Sequence, residues 1–299
     1  MAPLCAFLVI GIAAGRSARK SGLVQSPILD RALLDWLLPI AIAFNLSSAA
    51  WGIHSLFVVA MSIGITVLDA GFIFIFSLSL KLDRVTRRTL LAVAPLGNTA
   101  YFGFSAITAL LGSRYLPDAI IFDQVGTTIM LATYGNAVAR PIGFSLSSKD
   151  LFDLLRFRPL WGFALGLILD IANVHLLDGS AGSFGSAISA SLLPVAMLAL
   201  GGKLITHGLK INKVVWLGVL IRGIIGPALL ILLLTVLRVS LIGYVSPLLQ
   251  AAMPAMIAAA LLADRRGLDG AIAFSLCAVG IAISCVTLPV MVVIIKLIR

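Results

Sequence analysis

The chain has 299 residues, of which 61% are hydrophobic and 11% are charged, and its formal net charge is +10. This composition excludes an ordinary soluble domain and is typical of a polytopic membrane protein. The basic residues lie in short segments between apolar runs, so the positive charge indicates orientation in a lipid bilayer and not nucleic-acid binding.

Ten apolar runs predict an all-α protein with ten transmembrane helices. The predicted spans are 2–15, 31–50, 54–79, 89–112, 118–139, 159–177, 185–206, 213–237, 242–263 and 270–297. Of the 22 Lys and Arg residues, 17 fall in loops after odd-numbered spans and four on the other side. This bias predicts that the odd loops are cytoplasmic and that both termini lie outside, in a cell membrane such as the bacterial inner membrane.

The longest connection, 141–158, is predicted to be a cytoplasmic linker with a short interfacial helix. It separates two five-helix units, 1–140 and 159–299. Because five is odd, the second unit enters the membrane from the opposite side, which predicts inverted repeats. The spacing of polar and proline signals supports the repeat: 59 residues separate Pro39 from Asn98, and 60 separate Pro194 from Pro254.

Spans four and nine are predicted to be interrupted at matching positions, near Gly97-Asn98 and at Ala252-Met253-Pro254. We expect Asn98 to be the N-cap of one half-helix and Pro254 to lie in the first turn of the other. Two helix starts that face each other near the bilayer centre favour an anion such as a carboxylate. The predicted substrate-binding residues here are Gly97, Asn98, Thr99, Met253 and Pro254.

The ionisable residues Asp69, Asp123 and Arg222 lie within the apolar spans, where burial of charge is costly and therefore indicates function. Asp35 and Asp170, in contrast, lie near span ends. Arg222 either pairs with a carboxylate or attracts an anionic substrate. Asp69 and Asp123 are candidates for that ion pair or for carrying a coupling proton. No cluster has metal-ligand spacing and no nucleotide-binding loop is present, so we expect no metal and no cofactor.

Several short motifs, in this order and spacing, resemble the auxin efflux carrier (AEC) family, which includes plant PIN carriers and bacterial organic-acid (malonate-type) permeases. They are Leu38-Pro39-Ile40, Gly97-Asn98-Thr99-Ala100-Tyr101-Phe102-Gly103, Leu193-Pro194 through Gly201, Arg222 with Pro227, and Ala252-Met253-Pro254. The sequence departs from the family where Ser105 replaces the proline that often follows the Gly-x pair.

The resemblance implies an NhaA/bile-acid-symporter-like fold in which the fourth and ninth spans cross at their interruptions. Spans one, two, six and seven would form a scaffold that dimerises through spans two and seven. Spans three to five and eight to ten would form a transport domain that moves past the scaffold like an elevator.

The leading interpretation is a secondary transporter of a small organic anion, and not an enzyme. The alternative is a sodium- or proton-coupled carrier of the bile-acid-symporter type. A more distant alternative is an intramembrane aspartyl protease, although neither Asp69 nor Asp123 lies in a Gly-x-Gly-Asp motif.

Overall fold

The structure is a computed structural model that describes Ala13 and residues 27–48, 51–140, 156–176 and 179–297. Within these residues the regular structure is helical, apart from an isolated antiparallel bridge between Gly97 and Ala255. The predicted first span (2–15, apart from Ala13) and the predicted interfacial helix of the linker lie outside the described residues.

We number the helices α1 to α11 in chain order, treating consecutive helical turns as one helix. They are α1 (Pro27–Arg31, Ala32–Leu37 and Leu38–Leu46), α2 (Ile53–Ser79), α3 (Arg84–Val93), α4 (Thr99–Gly103 and Phe104–Leu110), α5 (Ser113–Tyr115 through Asn136–Ala139), α6 (Arg158–Ile171), α7 (Gly179–His207), α8 (Lys213–Leu220, Ile221–Ile225 and Gly226–Val236), α9 (Ile242–Tyr244 and Val245–Ala251), α10 (Ile257–Arg265) and α11 (Gly270–Leu297).

Four helices are long and apolar enough to cross a membrane by themselves: Ile53–Ser79, Ala181–His207, Lys213–Val236 and Gly270–Leu297. Together with the helical content, they make the chain a polytopic membrane protein. Predicted spans four and nine each consist of two shorter helices, α3 with α4 and α9 with α10. The count of ten spans and their arrangement as inverted repeats stay predictions.

Helices α6 and α7 each pack against α1 through glycines that permit close approach. A side chain at Gly162 would collide with the backbone of Pro39, and one at Gly166 would press on Ala43 and Leu46. These two glycines are four residues apart on α6, the spacing that lets membrane helices approach backbone to backbone. On α7, Gly185 leaves room for the ring of Phe44.

The other helices surround the two interruptions. The helix α2 packs against α5, α8 and α9, whereas α11 packs against α3, α7, α8 and α10. Helix α3 begins at an Asp83 N-cap whose side chain accepts hydrogen bonds from the N–H groups of Val85 and Thr86, each at 3.0 Å. The segments between α3 and α4 and between α9 and α10 lie in the middle of the packed helices, where their residues are almost fully buried.

Candidate functional site

Two helix interruptions meet in the middle of the molecule. Helix α3 ends at Val93 and α4 begins at Thr99, while α9 ends at Ala251 and α10 begins at Ile257. The N–H of Asn98 donates to the carbonyl of Pro254 at 2.7 Å, and the N–H of Met256 donates to the carbonyl of Leu96 at 2.8 Å. This pair of hydrogen bonds forms the Gly97–Ala255 bridge. It supplies partners to backbone groups for which lipid offers none.

The structure confirms one detail of the predicted interruptions and contradicts another. Asn98 is the N-cap residue of α4, as predicted, although its side chain makes no capping hydrogen bond within the described residues. Pro254 does not lie in the first turn of α10, whose N-cap is Met256. The bridge extends the interruption past Pro254, so that α10 begins three residues later at Ile257.

Arg222 crosslinks the two interruptions. Its guanidinium pairs with Asp69 at 3.0 Å and donates to the carbonyls of Pro95 and Met253, each at 3.1 Å. A longer hydrogen bond of 3.4 Å reaches the carbonyl of Gln250. Of the two carboxylates that the sequence offered as partners, Asp69 is the one in contact, and in this arrangement the guanidinium is buried and engaged on several sides.

Gly97 is required at the crossing because of this arginine. A side-chain carbon at position 97 would collide with the guanidinium of Arg222. A second glycine has the same role on α4, since a carbon at Gly103 would collide with the Oε1 atom of Gln250. The backbone at Gly97 and Gly103 therefore approaches the side chains of Arg222 and Gln250 more closely than a residue with a side chain would allow.

The side chain of Asn98 is a polar group at the crossing whose amide atoms both lack a partner in the described chain. It is 1% exposed, and neither its amide nitrogen nor its amide oxygen has a hydrogen-bond partner within the part of the chain that the structure describes. The hydroxyl of Tyr101, one turn later, is also buried without a partner among the described residues. Because a buried amide without partners costs several kcal/mol, the crossing is a candidate binding site.

Asp123 lies in a second polar cluster, next to the first residue of α4. The Thr99 hydroxyl donates to its Oδ1 atom, and the Gln124 amide donates to its Oδ2 atom at 2.7 Å. Thr127 and Ser62 continue the cluster at hydroxyl–hydroxyl distances of 3.2 Å. Thr99, Asp123 and Arg222 each lie in a π-helical turn, a feature that is frequent at functional sites.

Sequence reasoning missed Gln124 and Gln250, although a glutamine within an apolar run is a detectable signal because its amide must find partners in the membrane. Gln250 donates to the carbonyls of Thr99 and Ala119 at 3.1 and 3.3 Å, which links α9 to α4 and α5. Ser62 and Thr127 carried no such signal, since hydroxyls in membrane helices commonly bond their own backbone.

The crossing is closed in this structure. A cavity of about 10 Å³ beside Arg222 and Pro254 has room for one water molecule at most. A larger cavity of about 230 Å³ lies at the end of the molecule that the charge distribution predicts to be cytoplasmic. Its polar lining is Asp35, Asn136, Arg156, Arg158, Arg265 and Arg266.

Ion pairs connect α10 to α1 and α7 at the same end. Lys203 on α7 contacts Asp30 on α1 at 2.8 Å and Asp264 on α10 at 2.7 Å. Arg265 on α10 contacts Asp35 on α1 at 3.4 Å. These contacts hold together the helices on either side of the arginine-lined cavity.

Residues 140–292, just over half of the chain, match the family described as Membrane transport protein. A protein of Methanothermobacter thermautotrophicus named "Uncharacterized transporter" is 29% identical over 203 residues. That match covers 67% of this chain and 65% of the relative, so the chain spans slightly less than two thirds of the relative's length.

Proposed function

Because the chain belongs to the membrane transport protein family, we propose that it is a secondary transporter of a small organic anion that binds where the two interrupted helices cross. The family and the relative point to a transporter and not an enzyme. The family is of the auxin-efflux-carrier type that the sequence motifs resemble. On that resemblance, the substrate we propose is a carboxylate of the malonate class.

The observation that carries this proposal is the side chain of Asn98. Its amide offers two donors and one acceptor, all buried at the crossing and without partners among the described residues. The first turns of α4 and α10 begin on either side, and helix starts favour negative charge. A carboxylate would accept hydrogen bonds from the amide N–H groups of Asn98. The partial positive charge of the two helix starts would stabilise it without a positively charged side chain. Arg222 then has a structural role, since Asp69 and backbone carbonyls already occupy its guanidinium.

The closed crossing supports a mechanism in which helices move to admit the anion, because a cavity of about 10 Å³ cannot hold malonate. We propose that α2–α5 and α8–α11 move as a unit past α1, α6 and α7, as an elevator. The four arginines of the larger cavity would attract an anion to one entrance of this path. The proposal includes a homodimer through predicted spans two and seven, with both termini outside the cytoplasm.

The test is uptake and binding of radiolabelled malonate, followed by a panel of small mono- and dicarboxylates, with purified protein in proteoliposomes. Asn98→Ala should weaken binding roughly ten- to 150-fold, the effect of losing a hydrogen bond to a charged ligand worth about 1.5–3 kcal/mol. Asn98→Asp should weaken it further, because the new carboxylate repels an anion.

The matched control is Asn45→Asp on α1, where the amide nitrogen is also buried and has no partner in the part of the chain that the structure describes. This variant should bind as the wild type does. If Asn98→Asp binds malonate and the other carboxylates as tightly as wild type, the substrate is not an anion held at this crossing. If no carboxylate is bound or transported by wild-type protein, the proposed substrate class is wrong.

A further inference from the structure

A continuous chain of buried hydroxyl groups ends on the carboxylate of Asp123. The Ser62 hydroxyl on α2 lies 3.2 Å from the Thr127 hydroxyl, which lies 3.2 Å from the Thr99 hydroxyl. Thr99 in turn donates to Asp123 Oδ1. These four side chains are at most 2% exposed. Gly126 allows α2 to approach, because a side chain there would collide with Ser62.

Asp123 differs from Asp69 in its lack of a positive partner. Asp69 contacts the guanidinium of Arg222 at 3.0 Å. The partners of Asp123 are the neutral Thr99 and Gln124, and no basic side chain of the described chain forms an ion pair with it. A buried carboxylate without compensation costs several kcal/mol. The site therefore requires a positive species that is not a side chain.

We propose that Asp123 binds a proton that is transported together with the organic anion, so that the carrier is proton-coupled. This inference rests on the proposed function and names the coupling ion for it. When the proton binds, an O–H bond forms at a carboxylate oxygen and the negative charge is removed; when it leaves, the same bond breaks and the carboxylate returns. No other reactant is needed.

The neighbours of Asp123 fit both protonation states. In the structure Gln124 donates its amide N–H to Oδ2, and its amide oxygen has no partner among the described residues. Rotation of the amide by about 180° presents that oxygen to Oδ2, where it accepts from the protonated acid. A metal ion would have to break the chain of hydroxyl groups, because each hydroxyl already lies at hydrogen-bond distance from the next oxygen. A proton on the Asp123 carboxylate leaves these hydrogen bonds in place.

Thr99 connects the proton site to the crossing. It follows Asn98 directly, and its carbonyl accepts a hydrogen bond of 3.1 Å from Gln250, just before the second interruption. A carboxylate at Asp123 repels an anion bound at Asn98, and protonation removes that repulsion. The proton and the anion therefore favour each other's binding by the same factor, as reciprocal linkage requires.

Other titratable groups occur on the elements packed most closely against the Asp123 turn. His54 and Asp69 are on α2, Tyr101 is on α4, and Asp118 is on the preceding turn of α5. His54 and Asp118 contact each other at 3.0 Å, and Asp69 is paired with Arg222. Asp118 is the natural control, since it lies on the same helix but is partly exposed and has a partner.

Infrared spectroscopy tests the proton without any substrate. Wild-type protein in lipid at neutral pH should show the carbonyl stretch of a buried carboxylic acid, with the shift expected on exchange into D₂O. Asp123→Asn should lack this band, and Asp118→Asn should retain it. Absence of the band from wild type at every pH at which the protein is folded would overturn the proposal, as would loss of the band on replacing choline chloride with sodium chloride, which would identify a sodium site.

Transport of radiolabelled malonate tests the coupling. An inward proton gradient should accelerate uptake by wild type and Asp118→Asn several-fold, while a sodium gradient should have no effect. Asp123→Asn should still bind malonate but should not respond to the proton gradient. If uptake occurs and ignores the proton gradient in wild type, the coupling is wrong and the proposed function stands. If the infrared band is present but no carboxylate is carried, the substrate class is wrong and the proton site stands.

Discussion

At the scale of single residues, the crossing depends on Gly97 and Arg222 as a pair. Only a residue without a side chain leaves space for the guanidinium, and the guanidinium in turn holds carbonyls of both interruptions. Asp69 neutralises the charge, and Gly226 leaves room for its carboxylate. The arrangement fixes the two interruptions relative to each other, and the amide of Asn98 takes no part in it.

Arg222→Gln should therefore destabilise the protein. Removing one member of a buried ion pair leaves an uncompensated charge on Asp69 and costs about 3–5 kcal/mol. The double variant Asp69→Asn/Arg222→Gln should lose less than Arg222→Gln alone, because no unpaired charge is left. Thermal or denaturant unfolding in detergent measures both differences.

The control for Arg222 is Arg238→Gln, an exposed arginine just beyond the same helix, which should unfold as wild type does. Normal stability of Arg222→Gln combined with loss of malonate binding would contradict the structural role and would restore the interpretation of Arg222 as a substrate ligand.

The sequence predicted some of these residues and not others, for physical reasons. Proline, glycine and asparagine act on their local backbone, so the position of the first interruption could be inferred from Pro95 to Asn98. The partner of Arg222 could not, because Asp69 is 153 positions away and a second aspartate was available. The N-cap position of Asn98 was predicted correctly, but its backbone hydrogen bond to Pro254 was not, because that partner is distant in the sequence.

At the scale of elements, the sequence predicted the helix positions and the meeting of the two interruptions, but not the side-chain contacts that join the other helices. Hydrophobic runs have ends that loops and charges mark, and the observed bounds of α2, α8 and α11 lie close to the predicted ones. The π-helical turn at Phe122–Thr127 had no such mark. That turn contains Asp123 and Thr127, so the hydroxyl chain was visible only in the structure.

The ion pairs of Lys203 should hold the arginine-lined cavity closed. Lys203→Gln removes contacts to both α1 and α10, and should make separation of α10 from α7 about tenfold more frequent, which corresponds to ~1.4 kcal/mol. A cysteine in place of Leu262, which is 8% exposed and lines this cavity, should then react about tenfold faster with a thiol reagent in purified protein.

The control for this element is Lys213→Gln at the exposed start of α8, measured with the same cysteine at position 262. It should leave the labelling rate unchanged, and protein without the added cysteine gives the background. An unchanged rate in Lys203→Gln would mean that these ion pairs do not control access to the cavity.

At the scale of the whole molecule, the distribution of basic residues between the loops predicts which side of the membrane the arginine-lined cavity faces. The ion pairs of Lys203 and the arginine-lined cavity lie at one end of the helices, together with the loop between α2 and α3 that contains Lys81. Ser113 at the start of α5 and Ser240 in the loop before α9 lie in connections that carry few basic residues. Since basic loops stay on the cytoplasmic side, the cavity should open to the cytoplasm.

The orientation is tested with single added cysteines and a membrane-impermeant thiol reagent on intact cells. Cysteines in place of Ser113 and Ser240, both exposed, should be labelled at once, whereas one in place of the exposed Lys81 should be labelled only after permeabilisation. Wild-type protein, with its native cysteines, gives the background. The reverse pattern would mean that the molecule has the opposite orientation in the membrane and that the arginine-lined cavity opens to the outside. Different sidedness for Ser113 and Ser240 would overturn the count of spans between them, and with it the antiparallel crossing of predicted spans four and nine.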